Sequence, residues 1–240
     1  VPNFIANRVG VYSLMVGLRA MEEYGLKPDQ VDSITGPAMG RPRSATFRTL
    51  DLVGLDVLVR VCENNRIVAE GASDREVFSV PSYLQQLVER GWTGEKAGQG
   101  FYKRVKEDGK SRVLTVDLKT FQYRERAAYG AESLDAALEV QEPVERLRSL
   151  VAYSDTAGRF AWRVLSQTMA YAARMVGVAS DDTASIDKVM RWGFAWEVGP
   201  FQAWDALGVA DTVNRMKSDG LALPPWVEEI AAKGRRFYPC

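Results

Sequence analysis

Between residues 4 and 24 the apolar positions Phe4, Ile5, Val9, Tyr12, Leu14, Met15, Leu18 and Met21 fall on more than one face of a helical wheel, and Gly25 ends the run. A surface helix shows one apolar stripe, so this pattern predicts a long helix packed on most sides. A polar pair, Asn7-Arg8, interrupts it one turn in. "KPDQVDSITG" then carries Pro28 and Asp29 as start signals and Gly36 as a stop, which predicts a short second helix. "GPAMGRPRS" reads as a loop from its Gly and Pro content. Ser44 is placed to cap a helix over "ATFRTLDLV", Gly54 breaks that pattern, and "LDVLVRVCEN" resumes it. "VPSYLQQLVERG" predicts a further helix with Ser82 as N-cap and Gly91 as C-cap.

The period then changes from helical spacing to alternation. "GFYKRVKEDGKSRVLTVDL" has short alternating runs on either side of Asp108-Gly109, a strong two-residue turn signal, and predicts a β-hairpin over about 100–118. Helical spacing returns over 131–150, with Pro143 interrupting, and Ser154-Asp155 can cap a second long helix running to Gly177. "IDKVMRWG", a Gly-Pro loop, "FQAWDALG", "VADTVNRMKSDG" and "PPWVEEIAAKG" follow, all short and all punctuated by Gly.

The order of elements repeats. "VDSITG" and "RPRSATFRTLDLVGLD" in the first half answer to "IDKVMRWG" and "VGPFQAWDALGVAD" in the second, and in both an Asp stands three residues before a Gly (Asp51 and Gly54, Asp205 and Gly208). One supersecondary unit used twice, each copy covering the other's apolar face, accounts for this. The chain is expected to be all-α with a small β-hairpin insert: a first unit over 1–102, an insert over 103–150 and a second unit over 151–240.

Composition narrows the functional classes. The 240 residues are 46% apolar and 26% charged with six Trp, the profile of an ordinary globular protein. Lys+Arg and Asp+Glu balance at 31 each, so the basic excess that nucleic acid demands is absent, and no nucleic-acid partner is expected. No apolar run reaches the roughly 18 residues of a membrane span. Two cysteines, Cys62 and Cys240, form neither a disulfide framework nor a metal set, which fits a reducing, cytoplasmic setting. No phosphate-binding glycine loop and no nucleophile elbow occurs. There is no histidine at all, although proton transfer at neutral pH most often uses one. That absence, with a first residue that is not Met, leads us to expect a piece of a longer catalyst.

Asn7 and Arg8 have two readings. An uncompensated amide or guanidinium on an apolar helix costs several kcal/mol, so partners are required. Arg8 can pair with Asp32 or Asp51 while Asn7 caps the helix start. Alternatively, Asn7 faces a cleft, where a neutral amide holds a substrate oxygen and a neighbouring base in register. "GEKAGQGFYK" lacks a preceding strand and a following helix, so taken alone it is a loop leading into the hairpin.

"PNFIANRVGVYSLM", then "GRPRSATFRTLDLVGLD", then "GEKAGQGFYK" resembles the C-terminal helical domain of the NAD-dependent 3-hydroxyacyl-CoA dehydrogenases. The shared pattern is Pro-Gly-Phe-Ile-x-Asn-Arg, a Gly-Pro loop ahead of Asp-x-x-Gly-Leu-Asp, and Lys-x-Gly-x-Gly-Phe-Tyr, in that order. "GFAWEVGPFQAWDALG" is similar to the family's Gly-Pro-Phe-x-x-x-Asp segment, as a second copy would be. The resemblance implies a 6-phosphogluconate-dehydrogenase C-terminal-like helical domain in two tandem copies. It implies that Asn7 is the active-site Asn that positions an acyl-CoA substrate beside a His-Glu pair, and that Lys96 contacts NAD. The cofactor would be held mainly by a Rossmann domain ahead of this segment, which also carries the His and Glu. Asn3 replaces the family's Gly, and "SATFRT" replaces its Gly-Pro-Phe-Glu-Leu. Aligning "FAWRV" with "IANRV" puts Trp162 where Asn7 stands, so the second copy is expected to be catalytically silent and to stand in for a dimer partner. The alternatives are a helical interaction module without catalysis, or a related dehydrogenase for another hydroxy acid.

Overall fold

A computed structural model describes residues 5–69, 73–107 and 109–238. The first half runs through α1 (Ile5–Glu23), α2 (Pro28–Thr35), α3 (Phe47–Val53), α4 (Leu55–Val68) and α5 (Ser82–Glu89). A three-stranded antiparallel sheet follows, β1 (Tyr102–Glu107), β2 (Lys110–Val116) and β3 (Tyr123–Glu125), in the order β1-β2-β3. Then come α6 (Glu132–Leu138) and α7 (Pro143–Ala152). The second half is α8 (Thr156–Met175), α9 (Thr183–Gly193), α10 (Pro200–Leu207), α11 (Val209–Ser218) and α12 (Pro225–Ala232). The long helices α1 and α8 pack on one another and are buried along most of their length, as apolar residues on several faces require.

The local signals account for most boundaries, and three of them act differently from expectation. Asp155 caps α8 by accepting from the Gly158 N–H at 2.8 Å. Gly54 and Gly208, at φ 100° and 87°, break α3 from α4 and α10 from α11. Pro143 does not bend a helix; it is the first residue of α7, where its missing N–H costs nothing, and Glu142 caps the Glu145 N–H at 2.8 Å. Ser82 is the first residue of α5 rather than its cap. Ser44 does not cap α3 either. That role belongs to a carboxylate from another element: Asp32 on α2 accepts the N–H groups of Thr46, Phe47 and Arg48 at 3.0, 2.7 and 3.0 Å. The hairpin forms in the expected place, with Tyr102 opposite Thr115, and Gly109 adopts φ 74° at its turn; Asp108 lies outside the described residues. Strand β3, which pairs Val116 with Tyr123, was not foreseen.

The same fastening recurs in the two halves. Tyr102 donates its hydroxyl to Asp32 at 2.7 Å, and Asp51 accepts the Phe101 and Tyr102 N–H groups, both at 2.8 Å. In the second half Tyr238 donates to Asp187 at 2.8 Å, and Asp205 accepts the Phe237 and Tyr238 N–H groups at 2.8 and 2.9 Å. Asp187 caps α10 through the Phe201 and Gln202 N–H groups, both at 2.9 Å, as Asp32 caps α3. The rings agree as well: Phe47 meets Phe101 edge-on at 4.6 Å, and Phe201 meets Phe237 edge-on at 5.1 Å. Burial raises the carboxyls of Asp32 and Asp51 to about 7 and about 6 against the pull of these donors.

The halves meet through α1 and α8. Thr168 donates its hydroxyl to Ser13 at 3.0 Å across a separation of 155 residues, the same separation as between Asp32 and Asp187. Equivalent positions touch in this way when two like units face each other about a two-fold axis. Ser13 also accepts from the buried Arg41, whose guanidinium lies 4.4 Å from the Trp196 ring centre; burial pulls Arg41 down to about 10, still charged at neutral pH. Tyr12 and Tyr171 stack at 3.9 Å and 3°. The Phe194 ring fills the space beside Gly10, where a Cβ would come within 2.1 Å of it.

Candidate functional site

Asn7 lies in the first turn of α1, half-buried. Its main-chain carbonyl accepts the Asn65 side-chain amide at 3.3 Å, which ties the start of α1 to the far end of α4. The Asn7 side chain makes no hydrogen bond to any described residue, so its donors and its acceptor are available to a ligand. It does not cap α1, since it already sits within the helix. Close by, Ala6 approaches Gly193 at the end of α9, so the second half borders the same region.

Arg8 is buried, but neither Asp32 nor Asp51 pairs with it; both carboxylates are taken up by main-chain N–H groups. Its guanidinium lies close to the Tyr171 hydroxyl instead, where its charge favours the ionised phenol against burial. From there a polar chain crosses the interior: Tyr171 stacks on Tyr12, Tyr12 donates to Asp74 at 3.5 Å, and Arg174 grips Asp74 through two bonds of 2.7 Å. Arg8 is thus part of the joint between the halves, while its neighbour Asn7 stays half-buried. Sequence spacing gave no hint of this partner, because Tyr171 is brought in by α8.

Lys96 sits on the turn at Glu95–Ala97, half exposed, with Nζ 2.6 Å from Asp56 at the start of α4. Lys96 holds the Asp56 carboxyl below its usual range, a screened surface effect. Asn7 and Lys96 are therefore not brought together. They mark opposite ends of α4, with Asp56 and Asn65 nine positions apart, about 14 Å at the usual helical rise. Between and beyond them the exposed side of α3 and α4 carries Leu52, Val53, Val57, Ile67 and Val68. The glycine-rich "GEKAGQGFYK" is held against α3 by Asp51, and a Cβ at Gly100 would come within 2.2 Å of the Asp51 Oδ1. Gly94 and Gly100 therefore serve close approach of the main chain to Asp51, and Gly98 serves a left-handed turn.

The residues fit one wall of a nicotinamide-nucleotide site. Lys96 is a reachable cation beside an apolar exposed strip, and the only sheet among the described residues is antiparallel, with no strand-turn-helix phosphate cradle. No group of three or more His, Cys, Asp or Glu that could hold a metal occurs among the described residues. No helix among them is long and apolar enough to cross a membrane. Trp162, at the position matching Asn7, is buried; its indole donates to Asp219 at 2.6 Å and Arg215 covers its ring at 3.9 Å. Asp219 stands where Asn65 stands in the first half, but Asn65 donates to the Asn7 main chain and leaves that side chain unbonded, whereas Asp219 takes up the Trp162 side chain itself. The Phe237-Tyr238 counterpart of Phe101-Tyr102 escaped the sequence reading, although "GRRFY" carries the same Phe-Tyr pair as "GQGFY".

A family model described as 3-hydroxyacyl-CoA dehydrogenase, C-terminal domain, matches residues 4–104 and 158–235. A Bacillus subtilis (strain 168) protein named probable 3-hydroxyacyl-CoA dehydrogenase is 43% identical over 237 residues, 99% of this chain and 29% of that protein. A Rickettsia felis protein named putative fatty acid oxidation complex trifunctional enzyme is 25% identical over 203 residues, 84% of this chain and 26% of its own length. The chain thus spans under a third of these relatives. The crystal structure of 3-hydroxybutyryl-CoA dehydrogenase from Escherichia coli superposes with a TM-score of 0.64 over 98% of this chain and 60% of that one; at 20% identity it shows a common fold.

Proposed function

The chain belongs to the 3-hydroxyacyl-CoA dehydrogenase C-terminal domain family, and on that premise we propose that it is the helical, substrate-facing part of an enzyme of fatty-acid β-oxidation that oxidises 3-hydroxyacyl-CoA to 3-oxoacyl-CoA with NAD. The observation that carries the reading is the Asn7 amide, held by its main chain yet unpartnered at its side chain among the described residues. In this role Asn7 orients the reacting oxygen of the acyl group toward a base supplied by the preceding Rossmann domain, which takes the hydroxyl proton. NAD, when bound, supplies the hydride-accepting nicotinamide. Lys96 contacts it from the helical side, exchanging Asp56 for a ligand oxygen. The exposed Val53 and Val57 beside it keep that wall dry.

The two halves are then tandem copies, 1–102 and 151–240, joined by the insert 103–150. The second copy is silent because Trp162 is sealed where Asn7 is open, and it replaces the partner subunit against which the first copy would otherwise pack. On the same reading the parent protein is proposed to be cytoplasmic, which the buried free thiol of Cys62 supports.

Asn7→Ala in the parent protein tests the reading. We expect turnover of 3-hydroxybutyryl-CoA to fall by on the order of 100-fold, the loss usual for one preorganised donor, with the melting temperature unchanged. Undiminished turnover would leave the fold serving as a non-catalytic interaction module. The 240 residues by themselves are expected to show no NAD reduction, since neither the base nor the dinucleotide fold is in them.

A further inference from the structure

The loop "GRPRS" and the hairpin insert have no part in the site above, yet the fold brings their cations to one groove. Alternation along β1 sets Tyr102, Arg104 and Lys106 on one face. Arg48 at the start of α3 and Arg43 from the loop border that face, and Arg126, just past β3, lies over the Tyr102 ring at 5.5 Å. Two adjoining cavities, of about 380 and 220 Å³, share Arg48, Tyr102, Arg104 and Val113 as walls.

The charges there do not cancel. Glu95 pairs with Arg48 at 3.0 Å, and Asp32 has its oxygens occupied by three main-chain N–H groups and the Tyr102 hydroxyl. Arg43, Arg104 and Lys106 have no ion-pair partner among the described residues, and Arg126 has only the tyrosine ring. Clustered cations without counter-charge are unfavourable in a chain whose charges otherwise balance. The second half supplies an internal control. Around Tyr238, the counterpart of Tyr102, Arg148, Arg191 and Arg236 face Glu142, Glu145, Glu197 and Asp205, and Gln202 replaces Arg48.

We propose that the groove between α3, the "GRPRS" loop and β1 binds a diphosphate group, free or carried by a nucleotide. Guanidinium forks match phosphate oxygens two at a time, and four uncompensated cations suit the roughly three negative charges of a nucleoside diphosphate better than a single phosphate or carboxylate. Arg126, exposed above the buried Tyr102 ring, offers its guanidinium face to a base at one end. The groove is distinct from the Lys96 site: on one turn, Glu95 points to Arg48 and the groove, while Lys96 points to Asp56.

Isothermal titration of the 240-residue chain with pyrophosphate, ADP and adenosine at low ionic strength tests this. Pyrophosphate and ADP are expected to saturate one site, weakening as salt is added. Arg43→Ala combined with Arg104→Ala should loosen both by roughly tenfold or more, and Arg159→Ala on the exposed side of α8 should change neither. Both removed arginines are exposed and unpaired, so an unchanged melting curve is expected. ADP tighter than pyrophosphate assigns a nucleotide-borne group, and equal affinity assigns the diphosphate alone. Absence of saturable binding, adenosine binding as well as ADP, or binding that survives the double substitution overturns the proposal.

Discussion

At the scale of single residues, four aspartates hold the chain together where helix caps and turns would ordinarily do so. Asp51 is the clearest case, because it satisfies two buried main-chain N–H groups about fifty residues away, both at 2.8 Å. Asp51→Ala orphans both, and the usual penalty for buried unsatisfied donors predicts a loss of about 2–4 kcal/mol in urea unfolding. A change within experimental error would show that water replaces the carboxylate. The Asp three residues before Gly was legible in the sequence as a recurring mark, but its job was not. A carboxylate that caps a distant segment leaves no periodic trace near itself. Arg8 teaches the same lesson, since its partner is a tyrosine hydroxyl from the other half.

At the scale of elements, the helices followed from apolar spacing and Gly punctuation, and the hairpin from its turn and alternation. What spacing missed was the sheet's third strand and how it is tied down. Arg124 in β3 reaches back to Asp29 of α2 with bonds of 3.1 and 2.6 Å, and the Ala127 N–H adds one of 2.9 Å. Burial raises the Asp29 carboxyl, but these donors outweigh it and leave it below the ordinary value of about 3.9. The folded state therefore binds this proton more weakly than the unfolded chain does. The tie contributes in full above about pH 4 and is lost as the pH falls below that through the depressed value. Protection against hydrogen exchange across 123–127, corrected for the intrinsic rate at each pH, should fall first on acidification. Asp29→Asn should show that lowered protection at neutral pH and lose the acid response; a variant that keeps it refutes the assignment.

At the scale of the whole molecule, the joint between the halves depends on shape as much as on polarity. Gly10 admits the Phe194 ring into the flank of α1. Gly10→Ala should cost about 1–3 kcal/mol through overpacking. Combined with Phe194→Ala, the total should fall below the sum of the two single losses, because the second change removes what the new methyl strikes. Strict additivity would show that the ring moves aside freely.

The sequence by itself determined the mostly helical class with its hairpin, the recurrence of an Asp three residues before a Gly, and the three motifs that mark the family, because helix period, turn chemistry and short motifs are local and survive as spacing. It also singled out Asn7 and Lys96. Only the tertiary structure decided that these two stand at opposite ends of α4, that Arg8 belongs to the joint, that Trp162 is sealed, and that a loop and a hairpin far apart in sequence pool their cations in one groove. Those outcomes depend on which side chains distant elements bring within a few ångströms of one another, and hydrogen bonds, ring stacking and uncancelled charge act only at that range.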